Sequence, residues 1–491
     1  MAAQLNFILI PFMAPGHIIP MINMAQSLSN HGAAAAIILT HFDAARFTSA
    51  IDRTLQSSPS IRLLKIRFPS SEAGLPPTCQ SADTLPSHDL LPNFSTAIKM
   101  LQPPVEHLLL QELPHPTCII SDKLLTWTAE TCDKLHLPRI VFDGMNCFTQ
   151  LVTHNLYVSK IYQTVPPDEP FLVPGLPDPV EVTRLQLPGL FNPGPKHVPG
   201  FREKVRETEA SAYGVVVNSF EEVEKRYIDE FRKVRGGKVW CIGPLSLGKE
   251  DMIVDCGPFL EWLDGREPAS VVYSCLGSLS SPSPAQFAEL ALGLEASNHP
   301  FIVVAKGSEI WEWIQGEGIE ERTRERGFFV RDWAPQEAIL SRPEVGAFLT
   351  HCGWNSTLEG ICAGVPMVTW PLFAEQFLNE KLVVGILGIG VGVGARGVVH
   401  VGEEDESGKK VRRDGIKEAI EMVMDKGEEA CGRRKRAQGF AETAKGAVRE
   451  GGSSFLNLQL LIQEIQHLTK HTKSIHQSQS WRWKLQESFY I

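Results

Sequence analysis

The chain has 491 residues, more than one hydrophobic core usually holds, which predicts two or three domains. Its 43% hydrophobic and 21% charged residues are typical of a globular protein in water, and its net charge of −10 gives no support for binding to nucleic acid or to an anionic membrane. The ten cysteines form no C-x-x-C pair, and there is neither a basic leader nor an apolar run of membrane-spanning length. We therefore expect reduced thiols in a cytoplasmic, monomeric protein with no transmembrane segment.

Short apolar runs predict a series of buried strands along the chain. They lie at residues 7–10, 33–39, 118–121, 213–218, 270–276, 301–305 and 345–349. After the first strand, Pro15-Gly16-His17 predicts a turn, Pro20 suits the first position of a helix, and Gly32 suits the end of that helix. Strands that alternate with helices predict parallel sheets in an α/β fold.

Composition divides the chain into two α/β series and a tail. We predict an N-terminal domain at residues 1–245, a linker at 246–257, a C-terminal domain at 258–468 whose last helix is able to pack back on the first domain, and a disordered tail at 469–491. Proline-rich stretches at 70–93 and 165–200 predict irregular loops, and the charged stretch at 402–413 predicts an exposed loop. Two such series predict facing doubly wound domains, whose ligands bind beyond the carboxyl ends of the strands.

The most informative stretch runs from Trp333 to Gln376. Within it, an apolar strand ends at His351 and a glycine, and Ser356-Thr357-Leu358-Glu359 fits a capping box that opens a helix. A strand, a glycine turn and the free N–H groups of a helix N-terminus form an anion site, for which a phosphate is the natural ligand. Glu375 and Gln376 then offer the acceptors and the donor that a polyhydroxyl group needs.

This stretch also resembles, without gaps, the signature box of plant secondary-product glycosyltransferases, a family that uses UDP-sugars. The matching segments are Trp333-Ala334-Pro335-Gln336, Thr350-His351-Cys352-Gly353-Trp354-Asn355-Ser356-Thr357-Leu358-Glu359-Gly360, Gly364-Val365-Pro366 and Pro371-Leu372-Phe373-Ala374-Glu375-Gln376. The resemblance implies the GT-B fold, with two facing Rossmann-like domains and the active site in the cleft between them. It implies that the N-terminal domain binds the acceptor and the C-terminal domain binds the UDP-sugar. Flanking segments, including 215–221 and 239–245, resemble the subgroup that glucosylates flavonoids, triterpenoids and steroids.

The resemblance also implies a role for each matching residue. The uracil would be held by Trp333, Ala334 and Gln336, the ribose by Glu359, the phosphates by Ser278, His351, Asn355 and Ser356, and the sugar by Trp354, Glu375 and Gln376. Gln376 is similar to the residue of glucose-using members, so UDP-glucose is the expected co-substrate, with no cofactor and no metal. Four residues keep a simpler alternative: Ser278 as a turn residue, Glu359 as part of the capping box, Trp333 as a core aromatic and Trp354 as a packing residue.

Glycosyl transfer to a hydroxyl needs a base, because an alcohol is a weak nucleophile at neutral pH. A histidine backed by a carboxylate suits that role. His17 follows the first strand and Asp122 ends another. Taken alone, a loop histidine can equally be structural, but the resemblance identifies His17 as the base and Asp122 as its supporting acid. The sequence contains no D-x-D metal motif, in agreement with the metal-independent inverting transfer that the resemblance implies.

Some features depart from the family pattern or compete with it. Leu276, Val303 and Asp143-Gly144 differ from the residues common in close relatives, and Asp143 is placed to alter the acceptor pocket. Residues 392–397 match G-x-G-x-x-G, but no helix is predicted after them, so we interpret them as a glycine-rich strand end. The competing functions are sugar addition to an existing glycoside with UDP-glucose, UDP-xylose or UDP-galactose, non-catalytic binding of a nucleotide sugar, and a nicotinamide-dependent dehydrogenase.

Overall fold

Two parallel sheets, each flanked by helices, form the fold, which confirms the predicted pair of doubly wound α/β units. The computed structural model describes residues 4–194, 198–247, 258–277, 282–400 and 410–487. Most of the predicted linker at 246–257 and of the charged stretch at 402–413 lies outside these ranges.

The first sheet has seven parallel strands, which are β1 (Asn6–Ile10), β2 (Ala34–Thr40), β3 (Ile61–Ile66), β4 (Cys118–Asp122), β5 (Arg139–Asp143), β8 (Gly214–Val217) and β9 (Val239–Cys241). Their order across the sheet is β3-β2-β1-β4-β5-β8-β9. The helices of this half are α1 (Pro15–Asn30), α2 (His41–Arg46), α3 (Thr48–Ser57), α4 (Leu91–Lys99), α5 (Gln102–Gln111), α6 (Thr128–Leu135), α7 (Cys147–Ser159), α8 (Phe201–Ala210) and α9 (Glu221–Val234). The proline-rich segment 165–200 contributes only the two-residue antiparallel strands β6 (Phe171–Leu172) and β7 (Glu181–Val182).

The second sheet has six parallel strands, which are β10 (Val271–Cys275), β11 (Phe301–Ala305), β12 (Gly327–Arg331), β13 (Val345–Thr350), β14 (Met367–Thr369) and β15 (Gly390–Gly392). Their order across the sheet is β12-β11-β10-β13-β14-β15. The helices are α10 (Pro258–Asp264), α11 (Pro284–Ser297), α12 (Ser308–Glu317), α13 (Ile319–Thr323), α14 (Gln336–Leu340), α15 (Trp354–Ala363), α16 (Gln376–Glu380), α17 (Arg413–Met424), α18 (Glu428–Val448) and α19 (Ser453–Glu487), with a π-helical segment at Lys381–Ile386. No helix follows β15 directly, as expected for a glycine-rich strand end at 392–397.

Burial on both faces explains why the strands are continuous apolar runs. In β1, Phe7 and Leu9 pack into one hydrophobic cluster, while Ile8 and Ile10 pack into the cluster on the opposite face. All four side chains are at most 1% exposed. Alternation of side chains along the strand therefore supplies both cores of the N-terminal half from one short segment.

Strand order brings the predicted site residues to two facing edges. In the first sheet the order reverses between β1 and β4, where His17 and Asp122 follow or end a strand. In the second sheet it reverses between β10 and β13, and His351 comes directly after β13. Such switch points open a crevice at the carboxyl ends of parallel strands, which is where α/β folds bind ligands.

The start of the first helix differs from the prediction. Helix α1 begins at Pro15, so Pro15-Gly16-His17 is its first turn, and Pro20 lies inside the helix. The first turn of a helix favours proline, and Pro15 rather than Pro20 occupies it. The prediction that Pro20 starts the helix is therefore wrong. His17 is therefore held by a helix rather than by a loop.

The C-terminal helix α19 returns to the N-terminal half. Leu458, Leu461, Ile462 and Ile465 pack into the same hydrophobic cluster as β1 and α1. The helical backbone continues to Glu487, whereas the polar composition of 469–491 predicted a tail without regular structure. Once a helix is nucleated by packing, residues such as Lys, Gln and Ser extend it at little cost, which accounts for the difference.

Candidate active site

His17 and Asp122 form a close pair at the switch point of the first sheet. The Nδ1 atom of His17 lies 2.6 Å from the Oδ2 atom of Asp122. The other oxygen, Oδ1, accepts a hydrogen bond of 2.9 Å from the backbone N–H of Leu124, so the carboxylate has a fixed orientation. Because a carboxylate only accepts, Nδ1 carries the hydrogen and Nε2 keeps its lone pair. The His17 side chain is 24% exposed and that of Asp122 is 1% exposed, so only the imidazole can reach a substrate.

The surroundings of His17 make it a stronger base than a free histidine. Burial disfavours the imidazolium, but the charge of Asp122 and its hydrogen bond outweigh burial and raise the pKa of His17 above its usual value. The ring of Phe12 packs edge-on against the imidazole, with 5.3 Å between ring centroids. A carboxylate behind a histidine, with Nε2 free, is the arrangement that a general base requires.

A second ion pair, which is absent from the predictions made from sequence, lies beside the first. The ammonium of Lys123 donates to the Oδ2 atom of Asp143 at 2.8 Å, at the ends of the adjacent strands β4 and β5. Their side chains are 14% and 1% exposed. Burial disfavours the charged lysine, but Asp143 raises the pKa of Lys123. The unusual Asp143 is thus paired inside the cleft, and the positive Lys123 next to Asp122 was the signal that could have revealed it.

His351 forms the corresponding corner of the second sheet. Its imidazole lies between two glycines, and a side chain at Gly277 would place its Cβ atom 2.5 Å from Nε2, while one at Gly353 would also collide with the ring. The Nδ1 atom is buried and has no hydrogen-bond partner among the described residues. Burial, helped by the charge of Lys306, lowers the pKa of His351 to about 4. A buried neutral histidine with an unused ring nitrogen fits a site that is completed by an anion.

Helix α15 begins beside His351, but its first turn is not the predicted one. It starts at Trp354 with Gly353 as N-cap, and no side chain caps it, so the predicted capping box is wrong. Ser356 and Glu359 instead receive hydrogen bonds from the Nε2 atom of Gln336, at 3.0 Å and 2.6 Å. Because these side-chain oxygens do not cap the helix, the backbone N–H groups of its first turn are available to an anion, whose binding there the helix dipole favours.

The residues predicted to hold uracil and ribose lie together around α14 and α15. Trp333 is 72% exposed, which excludes the alternative of a core aromatic, whereas Ala334 is buried. Gln336 is at the start of α14 and contacts Glu359 of α15. An exposed indole next to a glutamine and a glutamate can stack on a base and hydrogen-bond to hydroxyl groups.

Glu375 and Gln376, two of the residues predicted to contact the sugar, have different surroundings. Burial raises the pKa of the Glu375 carboxyl, although the positive charge of Lys123, and that of His17 when it is protonated, opposes the rise. The Oε1 atom of Gln376 accepts the N–H groups of Leu372 and Phe373 at 2.8 Å and 3.0 Å, which fixes the loop before α16.

The side chain of Trp354 is only 1% exposed, and its indole N–H donates to the backbone oxygen of Asn218 at 2.7 Å. The packing alternative is therefore favoured for this side chain. Ser278, the remaining residue predicted to bind phosphate, lies outside the described residues.

Hydrogen bonds between the two halves hold these edges together. The Nδ2 atom of Asn355 donates to the backbone oxygen of Gly16 at 2.6 Å. The side chain of Asn146 donates to Asn379 at 2.8 Å, and Asn379 in turn donates to the backbone oxygen of Cys352 at 2.8 Å. Cys352 has a left-handed backbone with φ of 64°, so this last contact supports a strained residue between His351 and α15. Asn146 and Asn379 carry no pattern in the sequence that could have identified them.

Metal-binding clusters and membrane-spanning helices are both absent from the part of the chain that the structure describes. No group of three or more His, Cys, Asp or Glu side chains in it is arranged to hold a metal ion. Every helix in these ranges is too short or too polar to cross a lipid bilayer. Metal independence and cellular location stay predictions.

Comparison with known proteins identifies a family model and relatives that are similar in sequence to this chain. Residues 261–397 match the family model described as UDP-glucoronosyl and UDP-glucosyl transferase. UDP-glycosyltransferase 73E1 of Stevia rebaudiana is 45% identical over 479 residues, which cover 94% of this chain and 96% of the relative. UDP-glycosyltransferase 73D1 of Arabidopsis thaliana is 44% identical over 493 residues, which cover 94% of this chain and 97% of the relative.

A solved structure matches the whole architecture. The crystal structure of UGT73P12 of Glycyrrhiza uralensis, complexed with glycyrrhetinic acid 3-O-monoglucuronide, has a TM-score of 0.91 and 33% sequence identity. The match covers 98% of this chain and 100% of that chain. The relationship extends over both sheets and the cleft between them, which confirms the predicted GT-B arrangement.

Proposed function

The chain belongs to the plant family 1 UDP-glycosyltransferases, and we propose that it transfers glucose from UDP-glucose to a hydroxyl group of a triterpenoid, steroid or flavonoid. As a member of that family it is an enzyme that moves a sugar from a UDP-sugar to a plant metabolite. Glucose is favoured by Gln376, whose resemblance to glucose-using members motivates the choice. The acceptor class is favoured by the flanking segments 215–221 and 239–245, which resemble the subgroup acting on those compounds.

The observation that carries the proposal is the pair of His17 and Asp122 beside the N-terminus of α15. His17 is 2.6 Å from its carboxylate partner, and the adjacent Gly16 contacts Asn355 in the first turn of α15. In the proposed step, Nε2 of His17 takes the proton from the acceptor hydroxyl while the oxygen attacks the anomeric carbon. The bond between that carbon and the diphosphate oxygen breaks, and UDP leaves with the bonding electron pair. Attack from the face opposite UDP gives a β-glucoside.

Charge that develops on the departing diphosphate needs fixed donors. We propose that these are the backbone N–H groups at the start of α15, including that of Asn355, together with His351. His351 is neutral at physiological pH because its pKa is about 4. A bound diphosphate would favour the imidazolium, so His351 supplies a hydrogen bond that strengthens as negative charge accumulates.

A second candidate is sugar addition to an existing glycoside. It is favoured by one observation, the similarity to UGT73P12, whose crystal structure contains a glucuronide. Under this proposal the chemistry at His17 is unchanged, and the acceptor hydroxyl belongs to a sugar rather than to an aglycone.

Product mass distinguishes the candidates. Purified protein would be incubated with UDP-glucose, a chelator, and matched pairs of aglycones and their monoglycosides from the three acceptor classes. A gain of one hexose on aglycones supports the first proposal, and a gain only on monoglycosides supports the second. Product only with UDP-xylose or UDP-galactose refutes the donor assignment. UDP-glucose binding without product from any pair, in a protein whose His17→Ala variant behaves identically, would indicate a non-catalytic binder.

A further inference from the structure

A proline lies in the interior of the helix that carries His17. Helix α1 runs from Pro15 to Asn30, and Pro20 is its sixth residue. In a regular α-helix the N–H of residue 20 donates to the carbonyl of Gly16, four residues earlier. Proline has no N–H, and its ring pushes that carbonyl away from the helix axis. The sequence thus removes the helical partner of one carbonyl, directly before His17.

That same carbonyl is the one used by the opposite half of the molecule. The Nδ2 atom of Asn355 donates to the backbone oxygen of Gly16 at 2.6 Å, across 339 positions of sequence. The Oδ1 atom of Asn355 faces Asn218 at the end of β8, whose Nδ2 atom lies 3.5 Å away. Gly16 allows the approach, because a Cβ atom there would already lie 3.3 Å from Nδ2. Asn355 is in the first turn of α15, where the diphosphate is proposed to bind.

We propose that Pro20 is a positioning residue of the transfer reaction, because it keeps the Gly16 carbonyl available to Asn355 and so ties the helix of the base to the helix of the donor site. This inference rests on the proposed function. Pro20 acts through Gly16 and Asn355 and contacts neither substrate. The tie fixes the separation between His17 and the anomeric carbon, on which the rate of an in-line displacement depends steeply.

The proposal predicts that Pro20→Ala lowers kcat and leaves the binding of UDP nearly unchanged. Alanine restores the N–H that pairs with the Gly16 carbonyl inside α1, and it is the best helix former. Without the proline ring the Gly16 carbonyl turns back toward the helix axis and away from Asn355, and we expect kcat to fall by about 10–100-fold. The dissociation constant of UDP should change by less than about threefold, since the N–H groups at the start of α15 remain.

The matched control is Pro15→Ala, the same change in the first turn of the same helix, where an N–H has no helical partner in any case. It should keep the wild-type kcat. A double-mutant cycle supplies the decisive readout: in an Asn355→Ala background, Pro20→Ala should leave kcat unchanged, because the tie is already absent.

The assay is steady-state turnover of each variant with the UDP-sugar and acceptor that the wild-type protein uses. A wild-type protein that makes product, but not with UDP-glucose, contradicts the donor proposal and leaves this comparison intact. A Pro20→Ala variant with wild-type kcat, or with the same fold loss of kcat in the Asn355→Ala background, overturns the positioning role.

Discussion

Replacement of Asp122 by asparagine tests the proposed base most sharply, because the structure fixes which way the new side chain must face. The Oδ1 position accepts the N–H of Leu124 at 2.9 Å, so the amide oxygen of the substituted side chain has to occupy it. The amide NH₂ then takes the Oδ2 position, 2.6 Å from Nδ1 of His17. Two N–H groups cannot face one another, so Nδ1 loses its hydrogen and Nε2 gains one. The nitrogen that faces the acceptor can no longer take a proton.

The expected loss follows from the two functions that the carboxylate has. It selects the tautomer, and it stabilises the imidazolium that forms when His17 takes the proton. The equivalent substitution in a serine-protease triad lowers kcat by about 10⁴-fold. We expect a fall in kcat of about 10³–10⁴-fold, equivalent to about 4–5.5 kcal/mol of transition-state stabilisation. Binding of UDP should be unchanged, because the Asp122 carboxylate is bonded to His17 and to the N–H of Leu124, both in the N-terminal half.

The assay is kcat with saturating UDP-sugar and acceptor, with product quantified by mass and UDP affinity measured separately. A matched control is Asp43→Asn, the same change at another buried carboxylate of the N-terminal half, which accepts a hydrogen bond from Thr40 at 2.8 Å. That variant should keep the wild-type kcat. An Asp122→Asn enzyme that is folded and retains more than about a tenth of the wild-type kcat would refute the tautomer argument and the assignment of His17 as base.

Three further outcomes follow from the site. Trp333→Ala should weaken UDP binding by about 1–3 kcal/mol through lost stacking, with little change in the free energy of unfolding. Replacement of the buried Trp354 by alanine should instead lower the free energy of unfolding by about 3–5 kcal/mol. Calorimetry measures the binding and chemical denaturation measures the stability, and the reverse pattern contradicts the two assignments. Lys123→Met removes a positive charge that lowers the pKa of His17. The pKa of His17 should therefore rise, and the acid limb of the pH profile of kcat/KM should move to higher pH. An acid limb that stays in place or moves to lower pH excludes an effect of Lys123 on His17. UDP-glucose binding near pH 6 should be accompanied by proton uptake at His351, because its pKa of about 4 in the empty site must rise beside an anion. Calorimetry in buffers of different ionisation enthalpy measures the proton uptake. Uptake that persists in the His351→Gln variant would assign it to another group.

Much of the fold was predictable because its signals are local. Each buried parallel strand is an apolar run whose both faces need hydrophobic side chains, and the predicted run at 301–305 coincides with β11 (Phe301–Ala305). Local propensity failed where two local patterns competed. Pro15 and Pro20 both suit a helix start, and Ser356 with Glu359 satisfies the spacing of a capping box although Gln336, distant in sequence, engages both side chains.

The sequence by itself determined the α/β class, the placement of His17, Asp122 and His351 at or just after the carboxyl ends of strands, and the family through an ungapped signature box. Tertiary structure alone decided which of these groups meet. His17 and Asp122 are 105 residues apart, and Asn355 and Gly16 are 339 residues apart, so no local pattern encodes either contact. The tertiary structure also placed Lys123 against Asp143. The physical reason is that hydrophobic periodicity specifies which face of an element is buried, whereas the partners of a polar side chain depend on how distant strands and helices are brought together.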